Sequence, residues 1–421
     1  MQPTSPPPAA ASGAAPAAFD LKVFVLAMFF TFGGITSLND VLIPKLKGLF
    51  ALSYAEVMLV QSAFFIGYLV VSIPAGALVA RIGYMRAAAA GLLTMAAGCL
   101  LFVPAAGSAL YVAFLGALFV VAAGITIVQV VANPLISMLG SPETASSRLT
   151  FAQGFNSLGT TIFPPLGAML ILGAIASGAD VATEARVISR TYIGIAVALC
   201  VLAALVWMRR NRLQETRAAA INPLAALDLL RRPRFAFGML GIFAYVGAEV
   251  AIGSLLVNYL AQPTTLALSE EQAGHHLAFY WGGAMIGRFA GALILRWFTP
   301  GKVLTTAALA VLALILVSAN SSGAVAGWSL LAVGLFNSIM FPTIFTLACE
   351  KLGARTAEGS GLICVAIVGG AILPPLTGHV ADSTSLAFAL VVPAASYALI
   401  AAFGWYARRP APDTLEAPVV A

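Results

Sequence analysis

The chain has 421 residues, of which 61% are hydrophobic and only 9% are charged, and its formal net charge is +6. A soluble globular domain carries roughly 25% charged residues, so this composition excludes a protein whose whole surface faces water. Apolar runs of about 18 or more residues recur along the chain, and each can cross a bilayer as a helix. We therefore predict an all-α polytopic membrane protein. Its basic residues are spread over loops, which does not favour nucleic acid as a partner.

Twelve transmembrane spans are predicted after an N-terminal segment rich in Pro, Ala and Ser. Residues 1–20 lack the basic region of a secretory signal peptide, so we expect a disordered tail there. The predicted spans are 21–47, 55–80, 87–106, 109–139, 148–176, 188–208, 235–261, 271–296, 303–320, 325–349, 358–381 and 385–407. They form an N-terminal six-helix half (21–208), a linker (209–234), a C-terminal six-helix half (235–407) and a C-terminal tail (408–421).

Lysine and arginine are unevenly distributed between the two sides of the predicted membrane. If the N-terminus is cytoplasmic, seventeen of the 22 basic residues lie on the inner side, four on the outer side and one, Arg288, within a span. Basic loop residues are enriched on the cytoplasmic side of membrane proteins. The distribution predicts a multi-pass protein of a bacterial inner membrane, with both termini and the 209–234 linker in the cytoplasm.

Two motifs recur in the second half of the chain. AGALVAR (75–81) closes the second predicted span and AGALILR (290–296) closes the eighth, while FPPLG (163–167) and LPPLTG (373–378) lie in the fifth and eleventh. The two offsets, 215 and 210 residues, are nearly equal, which predicts a duplicated six-helix unit with pseudo-two-fold symmetry. Two such halves joined by a basic loop are the plan of major facilitator transporters, whose substrate site lies between the halves near mid-membrane.

A solute transporter and a membrane-embedded enzyme are the two function classes compared for this architecture. An intramembrane enzyme needs a nucleophile with its base, or metal ligands, inside the membrane. The three histidines, His275, His276 and His379, lie near the outer ends of spans, and the sequence contains no HExxH or GxSxG. The four cysteines lie in apolar runs and are expected to be buried thiols. The sequence favours a transporter without a catalytic centre, metal or cofactor.

Polar side chains inside the first-half spans form two pairs. Gln129 and Asn133 in span 4 are four residues apart, and Gln153 and Asn156 in span 5 are three apart, so each pair shares a helical face. Amides both donate and accept hydrogen bonds, which suits them to the hydroxyl groups of a neutral sugar. Hydrogen bonding between helices is the alternative role for such residues. The other candidate binding residues of this half are Asn39, Asp40 and Gln61.

The second half offers fewer amides and more aromatic rings. Its candidate binding residues are Tyr245 and Glu249 in span 7, Trp281 in span 8 and Asn337 in span 10. Aromatic rings stack on the apolar faces of sugars, although simple packing is the alternative. Arg288 lies ~12 Å along its helix from Arg296, so its side chain could instead extend toward the cytoplasmic surface.

Long stretches of the chain resemble one known family. The segments are SLNDVLIP (37–44), QSAFFIGYLVVSIPAG (61–76), AAGITIVQVVANPLISMLG (122–140), SSRLTFAQGFNSLGT (146–160) and YVGAEVAIGSLLVNYL (245–260). From about residue 24 to about residue 380, the sequence resembles the fucose permease and glucose/galactose transporter family of bacterial sugar symporters. The resemblance implies the major facilitator fold, alternating access and cation-coupled sugar uptake.

The resemblance also implies roles for individual residues. Asp40, in the ND pair, would act in sugar binding or proton handling, and Asn156, in the FNS motif, would face the sugar. Gln129 stands where the fucose branch has a glutamate that carries the coupling proton, so the resemblance favours the glucose/galactose branch and a hexose other than fucose. Glucose, galactose, mannose and N-acetylglucosamine all remain candidates. A multidrug or lipid exporter is the alternative within the transporter class, and a monomer is the expected functional unit.

Asp40 and Glu249 are the only acidic residues well inside the predicted spans, so both are candidates for binding the coupling cation, H⁺ or Na⁺. Asp40 lies ~27 Å along the helix from Lys22, in the outer part of span 1. A carboxyl group that alternates between a hydrated and a dehydrated cavity can load and release a proton or bind sodium. The alternatives are a hydrated Asp40 paired with Lys45 or Lys47, and a structural pairing for Glu249.

Overall fold

A computed structural model describes residues 14–50, 54–108, 110–167, 169, 181–213 and 223–411. The regular elements within these ranges are all helical. The α-helices are Ala14–Phe50 (α1), Tyr54–Ile82 (α2), Tyr84–Ser108 (α3), Tyr111–Met138 (α4), Ala145–Gly167 (α5), Val181–Met208 (α6), Pro233–Ala261 (α7), Glu270–Trp297 (α8), Pro300–Ala319 (α9), Gly323–Asn337 (α10), Met340–Ala348 (α11), Thr356–Val365 (α12), Gly369–Ser383 (α13), Leu386–Ala389 (α14) and Val391–Ala407 (α15). Short 3₁₀ helices cover Pro142–Thr144, Pro223–Arg231, Gly353–Arg355 and Ala366–Val368.

The helices confirm the predicted all-α membrane architecture. Eleven helical segments of the described ranges are long and apolar enough to cross a membrane. The predicted fifth span corresponds to α5, which is not among the eleven because it carries Gln153, Asn156 and several hydroxyl side chains. The predicted tenth span is divided at Ser338–Ile339 into α10 and α11, and the eleventh is divided by the 3₁₀ helix Ala366–Val368 into α12 and α13.

The start of the first helix differs from the prediction. Helix α1 begins at Ala14, so residues 14–20 are helical where a disordered tail was predicted. Alanine is the strongest helix former, and four of these seven residues are alanine, which accounts for the longer helix. Residues 1–13 and 412–421 of the predicted tails, and 214–222 of the predicted linker, lie outside the described residues.

Helix packing repeats between the two halves. In the first half α1 packs on α5, α3 on α4 and α6, and α2 on α4. In the second half α7 packs on α13, α9 on α10 and α15, and α8 on α10. Each pair of the first half therefore has a counterpart six spans later, as expected for a duplicated unit.

The helix ends next to the linker and the two tails lie together at one end of the bundle. We name this end, which includes Arg212, Arg234 and Arg409, the basic end. The Asp20 carboxylate at the start of α1 is 3.6 Å from the guanidinium of Arg212, which follows α6. Arg234, at the start of α7, donates to the Arg409 carbonyl oxygen after α15 at 2.8 Å, and it forms an ion pair with Glu350. The basic end thus holds the start and finish of both halves.

The halves contact each other toward the basic end, through α5 with α8 and through α2 and α4 with α12. The Ser147 hydroxyl donates to the Ala292 carbonyl oxygen at 2.6 Å, and the Ser360 hydroxyl donates to the Val130 carbonyl oxygen at 2.8 Å. Gly361 allows a close approach of two backbones, because a Cβ there would lie only 2.7 Å from the Ser72 carbonyl oxygen. These contacts close the basic end.

The linker also joins the second half at the basic end. The two terminal nitrogens of the Arg355 guanidinium, Nη2 and Nη1, donate to the Asp228 carboxylate of the 3₁₀ helix Pro223–Arg231, at 2.6 and 2.8 Å. Arg355 also donates to Glu358 on α12 at 2.7 Å. The hydrogen bonds from Arg355 hold the pKa of the Asp228 carboxyl below its usual range. A bidentate pair of this kind fixes orientation as well as proximity.

The cysteines are free, but the prediction that all four are buried is wrong for one of them. Cys99, Cys349 and Cys364 are buried, whereas Cys200 is exposed. Leu199 is buried on the face of α6 that packs against the bundle, and the next residue points away from that face.

Candidate functional site

A cavity of about 160 Å³ lies between the two halves. Helices α1, α2, α4 and α5 line it from the first half, and α7, α8, α11 and the 3₁₀ helix Ala366–Val368 line it from the second. Its polar lining residues are Thr36, Tyr68, Gln129, Gln153, Asn156, Thr160, Tyr245, Glu249 and Arg288. Its remaining lining residues are Phe32, Gly33, Val246, Phe341 and Ile367. Polar groups are costly within a membrane bundle, so their convergence on one cavity marks a candidate binding site.

The first-half wall of the cavity is built from amides that neighbouring groups orient. The Tyr68 hydroxyl donates to Gln129 Oε1 at 2.7 Å. This hydrogen bond occupies the carbonyl oxygen of the Gln129 amide and orients the amide, whose NH₂ group can donate to other partners. The Asn156 amide donates to the Phe29 carbonyl oxygen on α1 at 3.3 Å. Asn156 therefore lines the cavity and also links α5 to α1, and its role in sugar binding stays a prediction.

Tyr68 and Thr36 line the cavity but were not among the candidates from the sequence. Tyr68 is seven residues, two helical turns, after Gln61. Thr36 precedes Asn39 and Asp40 by three and four residues, which is also the spacing of one helical face. The polar stripes on α1 and α2 were the signal that could have identified both residues.

Asn133 lies away from the cavity although it shares a helical face with Gln129. It is fully buried, and its amide oxygen and nitrogen have no hydrogen-bond partner among the described residues. Asn133 is one turn nearer the basic end, where α12 packs on α4 and Ser360 donates to Val130. The packing of the second half against α4 therefore closes the cavity before it reaches Asn133.

In the second half, a tyrosine holds the carboxylate of the cavity. The Tyr245 hydroxyl donates to Glu249 Oε1 at 2.7 Å, and the two residues are one helical turn apart on α7. The Tyr280 hydroxyl donates to the Glu249 carbonyl oxygen at 3.3 Å, and it accepts a hydrogen bond of 2.8 Å from the Asn337 amide. Asn337 is fully buried behind the cavity. It supports Tyr280 and α7 and is not itself part of the lining.

Trp281 also lies outside the cavity lining. Its side chain is 43% exposed and lies beside Gly253, and its ring meets that of Tyr280 edge-on. Successive residues of an α-helix point about 100° apart, since one turn takes 3.6 residues. Because Tyr280 points inward from α8, its neighbour Trp281 is turned toward the outside of the bundle.

Arg288 points into the cavity and does not extend toward the surface of the membrane. Its guanidinium donates to the Ser157 hydroxyl and, at 3.4 Å, to the Gln153 carbonyl oxygen. Both acceptors are on α5, so this arginine of the second half is held by the first half. Arg288 and Glu249 line the same cavity, so an ionised Glu249 would have an opposite charge nearby in a poorly solvated place.

Three candidate residues, Asn39, Asp40 and Gln61, lie on helices that line the cavity. The backbones of Asn39 and Asp40 belong to α1 and that of Gln61 to α2, but their side chains lie outside the described part of the chain. Their roles stay predictions. Among the described residues, no group of three or more His, Cys, Asp or Glu side chains could hold a metal ion.

Two repeated six-helix halves with a polar cavity between them define a transporter of the major facilitator type. Residues 24–366 match the Major Facilitator Superfamily, and the chain belongs to it.

Within that superfamily, the chain is 48% identical over 377 residues to the glucose/galactose transporter of Brucella abortus biovar 1 (strain 9-941), covering 90% of this chain and 91% of the relative. It is 34% identical over 399 residues to the L-fucose-proton symporter of Escherichia coli (strain K12), covering 90% of each. The crystal structure of FucP in the outward conformation matches with a TM-score of 0.83 and 31% identity, covering 93% of this chain and 99% of FucP. These relatives confirm the family that the sequence motifs indicated.

Proposed function

We propose that the protein takes up a hexose by alternating access and couples this uptake to the entry of a cation, H⁺ or Na⁺. The observation that carries the proposal is the cavity between the halves, in which amides, hydroxyls and one carboxylate with a nearby guanidinium converge. The relatives named for glucose, galactose and L-fucose transport support the substrate class. Glucose, galactose, mannose and N-acetylglucosamine are the candidate hexoses.

The chemistry of the cavity fits a neutral polyol. Gln129, Gln153 and Asn156 can each donate and accept, as sugar hydroxyls require, and Phe32 and Phe341 offer apolar faces. The volume of about 160 Å³ is below the roughly 300–1,000 Å³ of sites for drug-sized ligands. Size and polarity therefore favour a small sugar over the apolar substrates of a multidrug or lipid exporter.

The coupling cation would act at an acidic residue of the cavity. Gln129 cannot ionise, which leaves Glu249 among the described lining residues as the carboxylate that can take up a proton or a sodium ion. The Tyr245 hydroxyl donates a hydrogen bond to this carboxylate, and the Arg288 guanidinium lines the same cavity. Asp40 stays the second candidate.

Hexose specificity can be tested by isothermal titration calorimetry on the purified protein, one sugar at a time. We expect saturable binding of at least one of the four candidate hexoses and no binding of L-fucose. Binding of an apolar drug or a lipid, without binding of any hexose, would favour the exporter instead.

The amides of the cavity give a prediction about affinity. Gln129→Ala and Asn156→Ala should each weaken hexose binding by about 0.5–1.5 kcal/mol, because a neutral hydrogen bond is lost. Calorimetry on both variants would measure this, together with the yield of folded protein. Asn320→Ala is the control, because Asn320 is an exposed amide at the end of α9. Unchanged affinity in both cavity variants would mean that their amides only link helices.

We further propose that the basic end is cytoplasmic, so that this structure, closed at that end, is open toward the outside. The excess of lysine and arginine in the loops of this end supports the orientation. The match to FucP in its outward conformation supports the state.

A thiol-labelling experiment tests this orientation. In a background without native cysteines, a membrane-impermeant maleimide added to intact cells should label Glu271→Cys at the start of α8 but not Gln214→Cys in the linker. Both should react after the membrane is permeabilised. Labelling of Gln214→Cys from outside the cell would reverse the proposed topology.

A further inference from the structure

A second cleft, of about 450 Å³, lies in the second half between α8, α9 and α10. Its lining includes Ile294, Phe298 and Leu335, which are 42%, 61% and 41% exposed. The cleft therefore opens on the lateral surface of the helix bundle. In a membrane protein this surface faces lipid. The lining is almost entirely apolar, and the hydroxyl of its Ser338 is already bonded to the Leu335 carbonyl oxygen at 2.7 Å.

The length and position of the cleft match one leaflet of a bilayer. From Gly287 of α8 to Phe298, which directly follows this helix, the lining spans ~16 Å at 1.5 Å per residue. This is about half of the ~30 Å hydrocarbon core. Phe298 follows α8 at the basic end, and Gly287 adjoins Arg288 of the transport cavity. The cleft therefore extends from the membrane surface to about mid-membrane.

A single cation lies at the mouth of this cleft among its lining residues. Lys302 is the third residue of α9, at the basic end, and its side chain is exposed. Trp297, 75% exposed, precedes the Phe298 that lines the same mouth. Tryptophan and lysine are typical of the level at which lipid headgroups lie. The cleft thus combines an apolar groove one leaflet deep with a positive charge at headgroup level.

We propose that the cleft binds one acyl chain of an anionic phospholipid from the leaflet at the basic end, with the lipid phosphate held by Lys302. The apolar lining would bind the acyl chain of the lipid, and Lys302 would favour an anionic headgroup. The bound chain packs between α8 and α10 beside the helix break at Ser338–Ile339.

The test is native mass spectrometry of the full-length protein titrated with phosphatidylglycerol or phosphatidylcholine of identical acyl chains. The wild type should bind one phosphatidylglycerol more tightly than phosphatidylcholine. Lys302→Gln should weaken phosphatidylglycerol binding about fivefold, the equivalent of ~1 kcal/mol for one cation at a membrane surface. It should weaken phosphatidylcholine binding less, because the choline cation of that headgroup offsets the charge of its phosphate. Arg296→Gln is the matched control, because Arg296 is exposed at the same end but does not line the cleft.

A second variant tests the groove itself. Ala290 lines the cleft from its exposed wall, so Ala290→Phe should fill the groove and reduce tight binding of both lipids. Leu293→Phe, on an exposed part of α8 outside the lining, should bind lipid as the wild type does. The proposal is overturned if Ala290→Phe retains wild-type lipid binding, or if Lys302→Gln and Arg296→Gln behave alike. Neither lipid-binding measurement involves sugar, so failure of the lipid proposal is distinguishable from failure of the transport proposal.

Discussion

Replacing Glu249 with glutamine is expected to abolish cation-driven accumulation of hexose while hexose exchange across the membrane persists. Glutamine has nearly the same shape, and its carbonyl oxygen can still accept the hydrogen bond from Tyr245 that Glu249 accepts at 2.7 Å. It cannot gain or lose a proton, and it does not attract a sodium ion as a carboxylate does. A cation can drive a conformational equilibrium only through a differential interaction with its states, and the variant removes that difference.

The measurement is uptake and counterflow of labelled hexose in proteoliposomes. In the variant the internal hexose concentration should rise only to the external level under a cation gradient, whereas counterflow should continue. Glu270→Gln is the control, because Glu270 is an exposed acid in the first turn of the neighbouring helix α8. Asp40→Asn should be measured together with Glu249→Gln, since Asp40 and Glu249 are the two candidates for binding the coupling cation. If Glu249→Gln still concentrates hexose and Asp40→Asn does not, the coupling site is Asp40.

Replacing Gly361 with alanine is expected to shift the protein away from the state that is closed at the basic end. The added Cβ would meet the Ser72 carbonyl oxygen of the other half at 2.7 Å, and backbone atoms cannot move aside as a flexible side chain can. Overpacking of this kind costs about 1–3 kcal/mol. A difference of that size between two states shifts their ratio about 5- to 150-fold.

Cross-linking between the halves would report this shift. The hydroxyls of Ser146 and Thr346, on α5 and α11, are 2.6 Å apart in the closed state. Both positions would be changed to cysteine in a background without native cysteines. This double-cysteine variant should cross-link readily when Gly361 is kept and much more slowly when Gly361→Ala is added. Gly378→Ala is the matched control in the same predicted span, because a Cβ at Gly378 has no neighbour within 4 Å. Equal cross-linking in the two variants would show that the contact at Gly361 does not limit closure.

The helices and their duplication were predictable because both depend on local information. Apolar runs long enough to cross a bilayer determine the spans, and motifs such as AGALVAR and AGALILR reveal the repeat without any tertiary structure. Two helix breaks were not predicted, and this too has a physical reason. The breaks at Ser338–Ile339 and at Ala366–Val368 occur inside spans whose mean hydropathy stays high, so hydropathy alone does not mark the change of helix geometry.

The site was predictable where helical spacing alone determined the direction of a side chain. Gln153 and Asn156 line the cavity from one face of α5, as their spacing indicated. Asn133, Asn337 and Trp281 do not line it, because the depth of the cavity and the rotation of each helix depend on how the halves pack. For the same reason, spacing could not show that Arg288 points to α5 and not to the membrane surface.

Cation-driven uptake of a hexose through the cavity between the halves is the function that we propose for this chain. Its most direct test is accumulation of labelled hexose by proteoliposomes containing the wild-type protein, with proton and sodium gradients imposed separately. We expect one inward gradient to raise the internal hexose concentration above the external one, and collapse of this gradient to return the two concentrations to equality. Absence of accumulation for all four candidate hexoses under both gradients, in protein that is folded and correctly inserted, would contradict it.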